Sequence, residues 1–423
     1  MSSVTRRATS CCDDVPQKST LKVDEARQKI LGAIEPISAS EKLTLRNALG
    51  RVLAEDIISP ISVPGHTNSA MDGYALAGDD LPQGGDRIYR VMGRSLAGAP
   101  FSGSCESGQC VRIMTGAVMP AGTDTVVMQE HVNEVETDSV RIDDGHRCGQ
   151  NVRQAGEDIA AGSTVLQISH ILTPADLGVL SSLGIGEVRV RRRPRVAFFS
   201  TGDELRSIGE PLSEGDVYDS NRYSLFGMLK RLDVEILDMG VIKDNTDDLE
   251  KAFNEASLMA DVVITSGGVS VGEADYIKPI LEKTGQIHFW KIAMKPGRPL
   301  THGRIGKSLF FGLPGNPVAV MVTFYQFVQP ALEYLASAHY SQPLTLMASS
   351  SGNIRKRKGR YEFQRGILEQ DETGKMTVKK TGQQGSGVLM SMSLANCFIL
   401  LDEDCDGVAA GDMVRVQPFA AFI

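Results

Sequence analysis

Between residues 195 and 337 the chain alternates between two textures, and no other feature narrows its fold as much. Short runs rich in β-branched and aromatic residues (RVAFFST, VEILDMGVI, DVVITSG, IHFWKIAM, SLFFGL) take turns with longer amphipathic ones (NRYSLFGMLKRL, TDDLEKAFNEASLM, DYIKPILEKTG, NPVAVMVTFYQFVQPALEYLAS). The first kind reads as strand and the second as helix, one of them capped by Thr246 and one carrying Pro279. Strictly alternating elements predict a parallel sheet with helices on both faces. Such sheets bind ligands beyond the carboxyl ends of their strands. The loops after 195–201, 261–267 and 308–313 should therefore open on one edge.

The flanking regions have other patterns. Residues 21–35 predict a helix capped by Asp24, and 40–49 a second one stopped by Gly50. From 58 to about 150, runs such as DRIYRVMG, QCVRIMTG and TDTVVMQE alternate with glycine-rich turns, which predicts a β-rich module. A helix should start at Thr173-Pro174, and RRRPR at 191–195 marks a boundary. After 341, the short runs LTLMASS, RYEFQRGIL, KMTVKK, CFILL and DMVRVQPF predict a small β-barrel. The expected division is a polar tail (1–20), a linking domain (21–57 plus 150–194), a β-rich module (58–149), an α/β domain (195–340) and a C-terminal β-barrel (341–423). The fold class is thus α/β multidomain, with a doubly wound α/β domain at its centre.

Composition removes some function classes. The 423 residues are 42% hydrophobic and 23% charged, with a net charge of −8. That balance argues against a nucleic-acid or anionic-lipid partner. Seven scattered cysteines without a zinc-like pair read as reduced thiols, and the N-terminal stretch lacks an apolar signal core. No apolar stretch reaches the ~18 residues needed to span a bilayer. The expectation is a cytoplasmic protein. Trp290 reads as core, and the seven histidines show no metal-ligand spacing.

The chemistry concentrates at the predicted strand ends. STGDEL (200–205) offers Asp203 and Glu204 after a turn glycine. In TSGGVSVGEAD, Gly267 and Gly268 let backbone N–H groups approach an anion, and Ser266 and Ser270 add hydroxyls. In GLPGNPV, Pro314 and Gly315 precede Asn316 as a helix cap and Pro317 at the first helical position, which would leave free N–H groups for an anion. In WKIAMKPGRP, Lys291 and Lys295 would share one strand face, roughly 13 Å apart at ~3.3 Å per residue, with Arg298 beyond a Pro-Gly turn. Three cations there could hold several phosphate charges.

The same edge carries acids: Asp203, Glu204, Asp244, Glu273 and Asp275. Carboxylates beside phosphates repel unless a cation lies between them. Mg²⁺ suits that place, because it is held by one or two carboxylates plus phosphate oxygens. The residues alone thus reach metal-assisted phosphoryl or nucleotide chemistry and stop there.

Taken together, SAMDGYA (69–75), RIMTGAVMPAGTDTVV (112–127), AGED (155–158), FSTGDEL (199–205), YDSN (218–221), SGGVSVGEADY (266–276), KPGRP (295–299), GLPGNPV (312–318) and FQRG (363–366) resemble the molybdopterin molybdotransferases, the family of bacterial MoeA proteins and the gephyrin E domain. The resemblance covers nearly the whole chain after residue 20. It implies an elongated four-part subunit that dimerises, with an α/β part similar to molybdopterin adenylyltransferase. It implies adenylylated molybdopterin and molybdate as substrates, Mg²⁺ as cofactor and AMP as product. The adenylyltransferase and apo-molybdoenzymes become possible partners. Asp72, Thr115, Glu204, Asp244, Asp275, Lys291 and Lys295 match positions the family needs for activity, with Asp244 and Asp275 expected at the metal. Pro314 and Pro317 match loop prolines, and Arg153 and Asp158 match the linking segment. In the family the β-rich module reaches the α/β cleft across the dimer. Two other readings remain open at this level: the adenylyltransferase step itself, and a non-enzymatic scaffold.

Overall fold

The computed structural model describes residues 20–267, 280 and 285–419. The chain divides into two compact units, one of Met1–Ser40 with Arg191–Ile423 and one of Glu41–Val190.

The first unit holds a seven-stranded sheet in the order Thr20–Leu21, Gly285–Ile292, Pro299–Ile305, Ser308–Leu313, Val262–Ser266, Arg195–Thr201, Glu235–Ile242. Successive residues of Arg195–Thr201 point to opposite faces. Val196 and Phe198 join a core with Leu225 and Leu229 of helix Ser220–Lys230. Ala197 and Phe199 join another with Leu249, Phe253 and Ala256 of helix Thr246–Met259. Phe253 sits edge-on to Phe199 at 5.2 Å and to Phe310 at 5.6 Å. Burying such a ring stabilises by about 1.5–3 kcal/mol. Helices therefore cover both faces, as the alternation requires.

The sheet is not purely parallel. Pro299–Ile305 is an additional strand, antiparallel to both neighbours. It is masked in the sequence by its Pro and Gly, which sit at its start and at a position where the backbones meet: a Cβ on Gly303 would lie 2.1 Å from the Gln286 carbonyl oxygen. Thr20–Leu21 adds a further parallel edge through Lys291 and Ile292. Thr246–Met259 is capped by Asn245, whose side chain accepts the Asp248 N–H, and not by Thr246. The first helix, Val23–Gly32, has Lys22 at its cap position; Asp24 lies inside its first turn and pairs with Arg27. The final helical run, Pro317–Ser337, contains a π-helical turn at Phe324–Val328. The predicted helix at DYIKPILEKTG lies almost wholly outside the described residues.

The C-terminal strands form a closed barrel. Tyr361–Gln370 pairs with both Met376–Lys380 and Cys397–Leu401, and Leu346–Ser350 and Met413–Pro418 complete the ring. Ala348, Val378, Ile399 and Val416 fill it.

The second unit contains a six-stranded sheet in the order Thr125–Met128, Gly73–Leu76, Gln109–Ile113, Asp86–Ser95, Ser139–Asp143, Val132–Glu136. Helix Pro174–Ser182 starts at Thr173 with a reciprocal capping box to Asp176. The helix predicted at 40–49 is instead strand Ser40–Thr44 followed by a single turn at Leu45–Asn47. Its apolar residues are too few to bury a helical face, while Leu43 and Leu45 pack on a core with Leu53, Leu172 and Val190. No helix among the described residues is long and apolar enough to cross a membrane.

Candidate functional site

Three loops meet at one edge of the large sheet. Arg195–Thr201, Val262–Ser266 and Ser308–Leu313 run parallel, so their carboxyl ends lie side by side, with Ser200 opposite Ser266 and Ser266 opposite Leu313. Gly267 continues from Ser266 with φ +91, and a Cβ there would lie 2.4 Å from the Thr201 carbonyl oxygen. Only glycine fits that approach without strain. Its N–H donates to Leu313 O at 3.2 Å. The predicted anion loop is tied at its start to both neighbours; Gly268, Ser270, Glu273 and Asp275 lie outside the described residues.

Asn221, in the first turn of helix Ser220–Lys230, fastens the group. Its amide donates to Ser266 Oγ at 2.8 Å and to Gly315 O at 2.7 Å. Asp219 caps the same helix by accepting the Arg222 N–H at 3.0 Å. Asn221 Oδ1, Asp219 Oδ2, Ser200 Oγ and Thr265 Oγ1 are buried and have no hydrogen-bond partner among the described residues. Buried polar atoms without partners are uncommon and call for a partner beyond the described residues, be it chain, water or a bound group.

Three of the acids, Asp203, Glu204 and Asp244, lie near one another. Thr201 Oγ1 donates to Asp244 Oδ1 at 3.2 Å, and the Asp244 N–H reaches Asp203 Oδ1 at 3.4 Å. Glu204 folds back over Gly202, where a Cβ would meet its carboxylate at 2.8 Å. Burial pushes the Asp244 carboxyl up, the Thr201 hydroxyl opposes this, and the Asp203 and Glu204 charges add to the rise. Among the described residues no three His, Cys, Asp or Glu side chains form a metal-binding group.

The cations depart from the expected arrangement. The strand with Lys291 ends at Ile292, and Met294–Lys295 pairs instead with Tyr361 and Glu362 of the barrel. Lys291 and Lys295 thus belong to different sheets, and the inference that they share a strand face is corrected. Lys291 lies opposite Pro299, and Leu313 ends the adjoining strand, so it stands at the same sheet edge as the loops. Lys295 Nζ lies 3.7 Å from Glu362 Oε1, with the lysine half-exposed and the acid 10% exposed. The Arg298 carbonyl accepts the Ile292 N–H at 2.8 Å, closing the Pro-Gly turn.

The Asn-Pro loop also differs. Asn316 takes the cap position but its side chain makes no capping hydrogen bond. Pro317 has no N–H, and the Val318 N–H donates to Ser386 O at 3.0 Å. The regular α-helical segment, Pro317–Thr323, is short. One of the N–H groups expected to be free there is thus taken by the loop that carries Ser386. Pro314 is buried, while Gly315 and Asn316 are exposed at the sheet edge.

In the second unit, Asp72 and Thr115 are in contact. Asp72 Oδ1 accepts the Thr115 N–H at 2.7 Å and its hydroxyl at 2.8 Å. Those two bonds hold the Asp72 carboxyl below the usual range. Gly73 lets the neighbouring strand approach closely, since a Cβ there would lie 2.0 Å from the Val127 carbonyl oxygen. Arg153 pairs its backbone with Asn68, and the Asp158 N–H donates to Val63 O at 3.1 Å; both side chains are exposed. The chain pattern gave no role to Asn221, Thr201, Glu362 or Ser386. An Asn at the start of a helix that follows an Asp cap was the one readable signal.

These loops sit on a domain matching the "Probable molybdopterin binding domain" over residues 197–334. The flanking regions match the MoeA N-terminal region (domains I and II) over 21–184 and the MoeA C-terminal region (domain IV) over 348–419. The fold and site thus define a multidomain α/β protein built around a domain of that type. The chain is 45% identical over 400 residues to a molybdopterin molybdenumtransferase of Haemophilus influenzae, covering 94% of this chain and 98% of the relative. It is 36% identical over 385 residues to one from a Nostoc species, covering 89% and 88%. The crystal structure of the molybdopterin biosynthesis moeA protein of Pyrococcus horikoshii matches with a TM-score of 0.82 at 30% identity, covering 95% and 100%. This chain belongs to the MoeA family.

Proposed function

We propose that the protein is a molybdopterin molybdotransferase, which places molybdenum from molybdate on adenylylated molybdopterin and releases AMP. The observation that carries this reading is the loop knot around Asn221. It ties the ends of strands Val262–Ser266 and Ser308–Leu313 near Asp203, Glu204 and Asp244, in a chain whose full-length relatives bear that activity in their names.

The charges of Asp203 and Glu204 act on Asp244, and that repulsion favours a divalent cation. Mg²⁺ fits such a set, since it needs only one or two carboxylates when a substrate supplies phosphate oxygens. Asp244 would hold it, with Asp275 from the glycine loop. Bound there, the ion would neutralise charge developing on the phosphoanhydride. The chain's own residues position the substrate. Lys291, Lys295 and Arg298 supply positive charge for phosphate or molybdate, and Ser266, Gly267, Gly268 and Ser270 line the pterin-nucleotide. Pro314, Gly315, Asn316 and Pro317 form the facing loop. Catalysis of this class is mostly positioning and electrostatics. Asp72 with Thr115, and Arg153 with Asp158, would complete the site from a second copy in a homodimer. The adenylyltransferase and apo-molybdoenzymes would be its protein partners, and the cytoplasm its compartment.

The test is a defined assay with purified protein, adenylylated molybdopterin, Mg²⁺ and molybdate. Molybdate-dependent AMP release by the intact chain, lost in Asp244→Ala, is expected. No release by folded protein would overturn the reading.

A further inference from the structure

One of the cavities among the described residues carries an unusual lining and has no part in the proposed chemistry. It lies on the large sheet, at the end remote from strand Glu235–Ile242, and has a volume of about 470 Å³. That size suits a small organic ligand. Its floor comes from two antiparallel strands whose residues alternate onto one face. Gln286 lies opposite Arg304, and His288 opposite His302, with Trp290 next along the strand.

Three aromatic rings touch in series along the two strands. His288 and Trp290 stand nearly parallel at 13° with centroids 6.0 Å apart, and Trp290 leans on His302 at 5.6 Å. Trp290, expected as core, is only partly buried and lines this cavity. His302 is buried behind this lining, and burial pushes its imidazole down to about 4, so it adds no charge there at neutral pH.

Positive charge rims the cavity. Lys29, on helix Val23–Gly32, is exposed and has no polar partner among the described residues. Arg304 is held in place by donating to Ala33 O at 2.7 Å and Lys307 O at 3.2 Å, which leaves further N–H groups for a ligand. None of the described lining residues is acidic, although the chain as a whole carries a charge of −8. An exposed imidazole and a half-buried indole edged by two cations suit a planar ring bearing a phosphate. The ring stacks, and the phosphate takes charge-assisted hydrogen bonds.

We infer that this cavity is a second ligand site, for a nucleoside monophosphate or a similar aromatic phosphate, separate from the loop edge described above. The inference stands on its own geometry and does not need the proposed transferase activity.

Trp290 is the only tryptophan in the chain, so its fluorescence reports on this cavity. AMP titrated into the intact protein should quench it saturably. Lys29→Glu and His288→Ala should each weaken half-saturation about fivefold or more, and both positions are exposed enough to spare the fold. Adenosine should bind more weakly than AMP. Asp244→Ala should leave the quench unchanged, which separates this site from the proposed catalytic one. Quenching lost in Asp244→Ala but kept in Lys29→Glu would assign the signal to the loop edge and overturn the inference. So would the absence of quenching, or displacement of AMP by inorganic phosphate at equal concentration, since that would mean a bare anion site.

Discussion

One oxygen of the Asp72 carboxylate accepts both the backbone N–H and the hydroxyl of Thr115, at 2.7 and 2.8 Å. The pair fixes a carboxylate at a turn and keeps it ionised, because both bonds favour the charged form. A depressed folded value means that the stability linked to this group is present above its unfolded value. It is lost as pH falls through the folded one, a window below about pH 4. Thr115→Val removes the hydroxyl and keeps the N–H. The Asp72 carboxyl should then titrate higher than in the parent, though still below an unperturbed Asp, as followed by carboxyl-carbon NMR. At neutral pH both proteins carry the same Asp72 charge. Loss of transferase activity there would therefore report the lost hydroxyl.

Asp244 shows the opposite sign. Burial and the charges of Asp203 and Glu204 raise it, so its folded value lies above its unfolded value. Its contribution to stability is fully present below the unfolded value, near pH 4, and is lost as pH rises through the folded one. A divalent cation should reverse that loss. Mg²⁺ is expected to raise the Tm of the intact chain at neutral pH and to do so much less in Asp244→Asn. An equal rise in both proteins would rule out Asp244 as the ligand. Asp203→Asn should lower the Asp244 value and weaken Mg²⁺ together.

The sheet, its covering helices and the edge where loops gather were legible because hydrophobic periodicity is written locally. Val196 and Phe198 face one way and Ala197 and Phe199 the other, as any such strand requires. What could not be read depended on partners distant in the chain. Lys295 looked like a continuation of the Lys291 strand, yet it pairs with Glu362, far along the chain in the barrel. The N–H of Val318 looked free, yet Ser386 takes it. Residues 40–49 have helix-compatible spacing, but Leu43 and Leu45 find their core by another route. Asp244 and Asp203 lie together because they follow strands that are neighbours in the sheet, an adjacency the strand order supplies.

Glu362 holds Lys295 at the seam where Met294–Lys295 joins the barrel. The lysine side chain is half-exposed, so solvent screens the pair, and its net worth to stability is about 0–1 kcal/mol. Lys295→Ala should therefore change the Tm by only a few degrees. It should nevertheless remove most molybdate-dependent AMP release, because Lys295 is assigned to an anionic substrate. A variant with normal stability and full activity would withdraw Lys295 from the site. Glu362→Gln should keep the fold through its contact with Gln364, which donates to Glu362 at 2.9 Å in the parent. It should also strengthen anion binding by freeing the lysine, a change measurable by calorimetry with AMP.

Asn221 concentrates the largest expected effect in one side chain. Its amide nitrogen bridges Ser266 Oγ and Gly315 O, while its oxygen is buried without a partner among the described residues. Asn221→Ala removes both donors and leaves the Gly315 carbonyl and the Ser266 hydroxyl to water or to each other. The cost is about 1–3 kcal/mol, set by how far water can enter. Asn221→Asp separates the two roles: it keeps an oxygen acceptor and the side-chain shape but loses the donor pair, and it adds a charge beside Asp219. If the amide acts only as a structural tie, the Tm and the activity should fall in proportion across Ala, Asp and Ser variants at this position. If the buried oxygen also receives a hydrogen bond from substrate, the KM for adenylylated molybdopterin should rise in Asn221→Ala beyond what its Tm predicts. Asn221→Asp should then keep more of the substrate affinity than Asn221→Ala. The second pattern is expected, because that acceptor has no partner among the described residues at the edge where the loops gather.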